Sequence, residues 1–311
     1  MRLILTGGLG HIGTGLLNKT FKLNKLKQII VIDNAISVKP NILFGFKAKL
    51  PTKFIDEDIK NFDLKNFLIK DDIIVHLAAI TNAAESFKIK KKIFSNNFLI
   101  TKKVVDVASK KKIKCIFLSS TSVYGSNNKI MFEDEKNNLN PQSPYADCKI
   151  KEENYIRKQS KKNNLPSVIL RLGTIFGTSR GMRFHTAVNK FCYQASMNIP
   201  LTIWKTAYNQ KRPYLDIEDA IKCIEFIINN NLFDKQIYNV VTKNISIKNL
   251  LKKIKQYKKI KIKFVSSKIM NQLSYEASCE KILKKGFKFK GNLDLQIKKT
   301  LNLLNGINHE M

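Results

Sequence analysis

Eight residues near the N-terminus leave this chain few folds to choose from. The apolar run Leu3-Ile4-Leu5 leads directly into Thr6-Gly7-Gly8-Leu9-Gly10-His11-Ile12-Gly13. Glycines spaced G-x-x-G-x-x-G after such a run read as a strand, a tight turn and a helix over roughly 11–21. Glycine lets the backbone approach a pyrophosphate, and the helix start offers it free N–H groups and the positive end of a dipole. Gly7, Gly10, His11, Ile12 and Gly13 are therefore expected to line a dinucleotide, with no chemistry assigned to the His11 ring. Asp33 ends the next apolar run, Gln28-Ile29-Ile30-Val31-Ile32, 20 residues after Gly13. A carboxylate there accepts hydrogen bonds from ribose hydroxyls and repels a 2′-phosphate. With no arginine nearby, the expected cofactor is NAD rather than NADP.

The rhythm continues. Apolar runs at 53–55, 72–77, 114–118 and 167–171 read as strands, and 96–110 and 144–162 as helices. Strands separated by helices predict an α/β fold: a parallel sheet covered on both faces, with right-handed crossovers. Past 171 the pattern changes. Helices near 182–197, 216–230 and 246–257 alternate with short strands near 201–204, 237–241 and 260–264. The expected division is a cofactor domain over 1–170, with a return segment at about 216–241, and a second domain over 171–311. No Pro/Gly/Ser linker separates them, so they are expected to pack together.

Composition narrows the partners. The 311 residues carry a net charge of +32, yet only six of the 56 basic residues are arginine. Lysines spread over many helices read as a solvated exterior, whereas nucleic-acid recognition needs a clustered patch. No specific nucleic-acid partner is expected. Four of the six arginines, Arg171, Arg180, Arg183 and Arg212, fall within 171–212, and their planar forks suit phosphate or carboxylate. No apolar run approaches the roughly 18–20 residues of a membrane span, and the start does not read as a signal peptide. The expectation is a cytoplasmic protein with no membrane partner. The five cysteines are odd in number and widely spaced, with no CxxC, which argues against a disulfide framework and against a metal site.

A second constellation carries chemistry. Ser119-Ser120-Thr121-Ser122-Val123-Tyr124-Gly125 follows a strand, and Tyr145-Ala146-Asp147-Cys148-Lys149 opens a helix. Tyr and Lys four residues apart share a helix face. An ammonium beside a phenol favours the phenolate and is expected to lower the Tyr145 pKa, making it a general base or acid. Ser120 is expected to hydrogen-bond the same substrate oxygen. Ser120, Tyr145 and Lys149 are the expected catalytic residues.

Taken in order, TGGLGHIG at 6–13, VIDN at 31–34, EDI at 57–59, HLAA at 76–79, Asn97 with Thr101, LSSTSVYG at 118–125, SPYADCK at 143–149, LRLGTIFG at 170–177 and RPYLDIEDA at 212–220 resemble the extended short-chain dehydrogenase/reductases, the NAD-dependent sugar epimerase/dehydratase family. The resemblance fades after about residue 245. It implies a Rossmann-type doubly wound parallel sheet with a smaller mixed α/β C-terminal substrate-binding domain. It also implies that Asn34, Asp58 and Ile59 lie at the adenosine end, that Leu77, Ala78 and Ala79 form the cofactor wall, and that Asn97 belongs to the cofactor site. Lys149 would hold the nicotinamide ribose. Arg212 would meet a sugar-nucleotide phosphate, and Ser120, Thr121, Arg183, His185 and Asn189 would line the substrate pocket. Relatives of this type pair the equivalents of helices 96–110 and 144–162, so a homodimer is expected. Two positions depart from the pattern: Ile100 stands where glycine is frequent, and Cys148 where serine is frequent.

Residues 121 and 122 bear on the reaction. Relatives that eliminate water carry an Asp-Glu pair there, and decarboxylating relatives a glutamate at the second position. Thr121 and Ser122 can do neither job. An uncharged pair resembles the 4-epimerases, so the expected activity is epimerisation of a nucleotide sugar such as UDP-glucose through a 4-keto intermediate. A nucleotide-ketosugar reductase or dehydrogenase shares every other motif. A non-catalytic dinucleotide- or RNA-binding protein is the remaining alternative; it has no need of Ser120, Tyr145 and Lys149.

Overall fold

The computed structural model describes residues 1–18, 26–36, 40–46, 49–125, 130–266 and 274–305. Seven strands make the central sheet: β1 (Arg2–Thr6), β2 (Gln28–Asp33), β3 (Thr52–Asp56), β4 (Ile73–His76), β5 (Lys114–Ser120), β6 (Ser167–Leu172) and β7 (Asp234–Val240). Their spatial order is β7-β6-β5-β4-β1-β2-β3, and every pairing is parallel. The order reverses between β1 and β4, so a crevice opens at the carboxyl ends of those two strands.

Strict alternation explains why the sheet is covered twice. Leu3, Leu5, Ile29, Val31, Ile73, Val75, Ile116, Val168 and Leu170 belong to one core. Ile4, Ile30, Ile32, Ile74, Cys115, Phe117 and Ile169, the residues between them, belong to another. Side chains of a strand point to opposite faces in turn, so strands apolar at every position need helices on both sides. The helices α1 (His11–Leu17) and Ile217–Asn229 supply Leu16, Leu17, Ile221 and Ile224 to the first core. The helices Leu99–Lys111 and Pro144–Lys162 supply Val104, Val105, Ala108 and Ile156 to the second.

The helix expected over 11–21 spans 11–17; residues 19–21 lie outside the described ones. The helix expected over 96–110 begins as a π-type turn at Phe94–Phe98 before the regular Leu99–Lys111. The segment expected as helix 182–197 is helical only over Ala187–Ser196, and residues 178–186 run irregularly over α1. Five strands among the described residues escaped the sequence pattern: Thr174–Phe176, Lys211–Asp216 and Lys243–Ser246 form a separate sheet, and Ile130–Met131 pairs with Glu276–Ala277. They are short, and periodicity has few residues to act on.

The acids Asp216 and Asp219 stand at the start of the helix Ile217–Asn229. Asp216 caps the helix by accepting from Glu218 N at 2.9 Å. Both also bind the distant segment 290–292: Asp219 accepts from Lys290 N and Gly291 N, and Asp216 from Asn292 N. Burial pushes the Asp216 carboxyl up to about 6.

Candidate active site

The carboxyl ends of the strands converge on one cleft of about 430 Å³, within the ordinary range for small-molecule sites. Gly7, Gly10, His11, Ile12 and Gly13 line it from the β1 turn, and Leu77, Ala78 and Ala79 from the end of β4. Ser120, Thr121 and Ser122 reach it from the end of β5, Tyr145 and Lys149 from the next helix, and Arg183, His185 and Arg212 from the second half.

The glycine turn fits a dinucleotide. Gly7 has φ +68°, and a Cβ there would lie 2.5 Å from the Ala78 Cα, so the turn closes directly on the β4 wall. Gly10 is different: the nearest atoms to its would-be Cβ are Gly7 O at 3.4 Å and Arg183 Nη2 at 3.6 Å, which leaves its backbone open toward the cleft. It caps α1 without a side chain, and no acid sits in the first turn. The free N–H groups there suit a pyrophosphate. Asp33 Oδ2 accepts from Leu9 N at 3.0 Å and Oδ1 from Ala35 N at 2.9 Å, so the carboxylate is fixed to the glycine turn. Burial pushes that carboxyl up, against the pull of these two bonds. Asn34 donates to Asp58 Oδ2 at 3.0 Å beside it, and Ile59 is buried in the core.

His76 rivets the cleft floor. Its ring bridges Thr6 Oγ1 at 2.7 Å and Thr101 Oγ1 at 3.2 Å, and burial pushes its pKa down to about 3. Asn97 is fully buried and bonds Ile80 at both ends of its amide. It thus fixes the chain just beyond the cofactor wall and does not line the cleft.

The helix carrying Tyr145 starts where the sequence sets it. Ser143 caps it by accepting from Ala146 N at 3.2 Å, and Pro144 takes the first position. Tyr145 and Lys149 follow one turn apart, with Lys149 Nζ 5.8 Å from the Tyr145 ring centre. The ammonium donates to Leu118 O at 3.1 Å and to Glu152 Oε2 at 2.8 Å. Glu152 is a buried partner that the sequence reading missed, being one acid in a helix rich in charge.

The expected lowering of the tyrosine pKa is not found. Burial pushes the Tyr145 phenol above its ordinary value; Lys149 and Arg183 pull it down, while Glu152 and Cys148 push it up. The Glu152 carboxylate beside the ammonium cancels part of the lysine's effect. Burial also works to lower Lys149, but Glu152 and Tyr145 outweigh it and hold its pKa above the ordinary value. Burial raises Cys148 to about 12, in keeping with a packing role.

From the second half of the chain, Arg212 and Lys190 line the cleft with no carboxylate within ion-pair distance among the described residues. Lys190 was missed because one more lysine carries no signal in this chain. Ser120 Oγ accepts from Ser122 N at 3.1 Å at the cleft edge. The Thr121 hydroxyl donates to Leu172 O and accepts from Tyr275 OH, each at 3.3 Å. Asn189 is fully buried: its amide accepts from Gly177 N and donates to Arg183 O, so it holds the backbone behind the cleft wall and does not line the cleft. No Asp or Glu is among the lining residues. Among the described residues no cluster of His, Cys, Asp or Glu could hold a metal, and no helix is long and apolar enough to cross a membrane.

Relatives agree with this architecture. A Dictyostelium discoideum dTDP-D-glucose 4,6-dehydratase is 31% identical over 266 residues, 80% of this chain but 60% of that longer protein. A Bacillus subtilis (strain 168) protein named an uncharacterized UDP-glucose epimerase is 30% identical over 240 residues, covering 73% of this chain and 72% of its own. Among solved structures, a Bacillus cereus UDP-glucuronic acid 4-epimerase in complex with UDP-glucuronic acid and NAD superimposes with a TM-score of 0.87 at 25% identity, covering 98% and 99% of the two chains. The profile of the NAD dependent epimerase/dehydratase family matches residues 3–240, and the chain belongs to that family of NAD-using enzymes.

Proposed function

We propose that this chain is an NAD-dependent nucleotide-sugar 4-epimerase. One observation carries the choice of reaction: among the described residues, no carboxylate lines the cleft holding Ser120, Tyr145 and Lys149. Relatives named for dehydration and for epimerisation both align here, so family alone does not select the chemistry. Elimination of water needs an acid and a base beyond the tyrosine. Thr121 and Ser122 offer neither.

NAD, when bound, supplies a reversible hydride acceptor. In this reading Tyr145 takes the proton of the sugar 4-hydroxyl, and Ser120 hydrogen-bonds the same oxygen. Lys149 holds the nicotinamide ribose and carries positive charge beside the phenol. Asp33 accepts from the adenosine ribose, with Asn34, Asp58 and Ile59 at the adenine end. Arg212 and Lys190 anchor the nucleotide diphosphate by charge-assisted bonds. Anchoring by the nucleotide would leave the sugar free to turn, so that either face of its C4 could be presented to the nicotinamide. Thr121, with both hydroxyl bonds committed, shapes the sugar site and Tyr275 backs it. The assembly we propose is a cytoplasmic homodimer formed through the helices Leu99–Lys111 and Pro144–Lys162, with Leu99, 52% exposed, on the contact face.

Incubation of the purified protein with UDP-glucose, UDP-glucuronic acid and related nucleotide sugars, without added reductant, tests the reaction. The expected product is the C4 epimer with no net consumption of NAD. No epimer from any of them, together with turnover that consumes NADH, would move the assignment to a ketosugar reductase. RNA binding that persists at physiological salt would instead favour a binding role for the +32 charge, since nonspecific attraction is lost with modest salt.

A further inference from the structure

Segment 177–183 belongs to the second half of the chain, yet it is bonded onto the glycine turn. His11 Nε2 lies 2.8 Å from Gly177 O, and Ser179 Oγ donates to His11 O at 2.8 Å. Thr14 Oγ1 donates to Ser179 Oγ at 3.1 Å and accepts from Gly181 N at 2.9 Å. Gly181 packs so closely that a Cβ would lie 2.4 Å from Leu9 O and 2.5 Å from Gly10 C. Arg180 donates to the carbonyls of Ile42, Phe44 and Gly45, which ties the segment to the loop beyond β2.

This segment ends at Arg183, which lines the cleft with its Nη2 facing Gly10. Its only side-chain partner among the described residues is the Thr81 hydroxyl on the opposite wall, so the guanidinium crosses the cleft at the glycine turn. Asn189 holds its backbone carbonyl at 3.0 Å. Tyr145 and Asp33 raise its pKa, but burial outweighs them. His11 and His185, the other titratable groups near it, are both held below their ordinary values, burial being the largest cause. A partly desolvated guanidinium with no carboxylate partner calls for an anion from a ligand.

We propose that Arg183 is a ligand of the NAD pyrophosphate, carried there by segment 177–183, and that it holds the cofactor in the cleft between turnovers. The open backbone of Gly10 and the Nη2 of Arg183 face the same space from two sides. A bidentate guanidinium–phosphate contact there adds to the bonds from the glycine turn. The inference concerns the same cleft as the epimerase reading, but it needs no sugar, so either can fail without the other.

The test is NAD binding, measured by calorimetry on protein stripped of nucleotide, with release followed by exchange of labelled NAD. Arg183→Ala is expected to weaken NAD binding by about ten- to hundredfold and to speed release correspondingly. Arg183→Lys, which keeps the charge but loses the fork, is expected to fall between the two and guards against a folding defect. If both variants bind and release NAD as the parent does, and only the KM for the nucleotide sugar rises, Arg183 belongs to the substrate and the proposal is overturned.

Discussion

Lys149 Nζ lies 2.8 Å from Glu152 Oε2, and both side chains are buried. An ammonium has three protons. Leu118 O takes one and Glu152 another, which leaves a single donor for the cleft. The carboxylate therefore aims the lysine while opposing its effect on Tyr145.

Glu152→Gln is expected to lower the Tyr145 pKa, because a negative charge near the phenol is removed while the ammonium remains. The acidic limb of kcat/KM against pH should move down by about one pH unit. A packing defect alone would lower the rate at every pH and leave the limb in place. An unmoved limb would show that Glu152 has no electrostatic hold on Tyr145.

Tyr145→Phe removes the proposed proton carrier and little volume. The expected loss in kcat is about 10²–10⁴-fold, with NAD affinity near that of the parent. Equal losses in turnover and NAD binding would place Tyr145 among the structural supports of the cofactor instead.

Asp33→Ala removes a carboxylate fixed by Leu9 N and Ala35 N. NAD affinity should fall about tenfold, as for a lost charge-assisted bond, while NADP affinity falls less. The preference for NAD over NADP should narrow. An unchanged ratio of the two dissociation constants would remove Asp33 from cofactor selection.

Arg171 and Glu153 form a bidentate ion pair at 2.7 and 2.9 Å, with side chains only 2% and 4% exposed. Ser119 Oγ donates to the same carboxylate at 2.5 Å, next to Ser120 in sequence. Arg171 also donates to Tyr124 OH, which in turn donates to Asn239 on β7. Glu153→Gln leaves the guanidinium under-compensated in the interior and should cost about 3–5 kcal/mol in urea unfolding. A cost below about 1 kcal/mol would mean that solvent reaches the pair.

The cofactor half was legible because its signals are local. A glycine turn, an acid at a strand end and a Ser-Pro helix start each specify backbone within a few residues; the glycine turn and the helix start line the cleft, and Asp33 is bonded to the glycine turn through Leu9 N. The strand pattern was equally readable, since strands buried on both faces are apolar at every position. What the sequence hid was relational. Glu152 and Lys190 look like surface charges until the fold buries one and turns the other to the cleft. Asn97 and Asn189 read as ligand groups, yet Asn97 spends its amide on the backbone of Ile80 and Asn189 on that of Gly177 and Arg183, which no spacing rule reports. The direction of the Tyr145 shift failed for the same reason: the Tyr–Lys motif says nothing of burial or of a second acid one turn on. Tyr275 lies beyond residue 245, where motifs had ended.

Gly181 bears on how this protein is made. It presses backbone to backbone against Leu9 and Gly10, from 171 positions further along the chain. The first 170 residues contain the whole glycine turn but not its outer wall, and they lack β7 at the edge of the sheet. A ribosome must deliver residue 183 before the dinucleotide receptor is complete, and residue 240 before its sheet has its last strand. Position 181 can enlarge only together with a shift of segment 177–183 away from the backbone of Leu9 and Gly10.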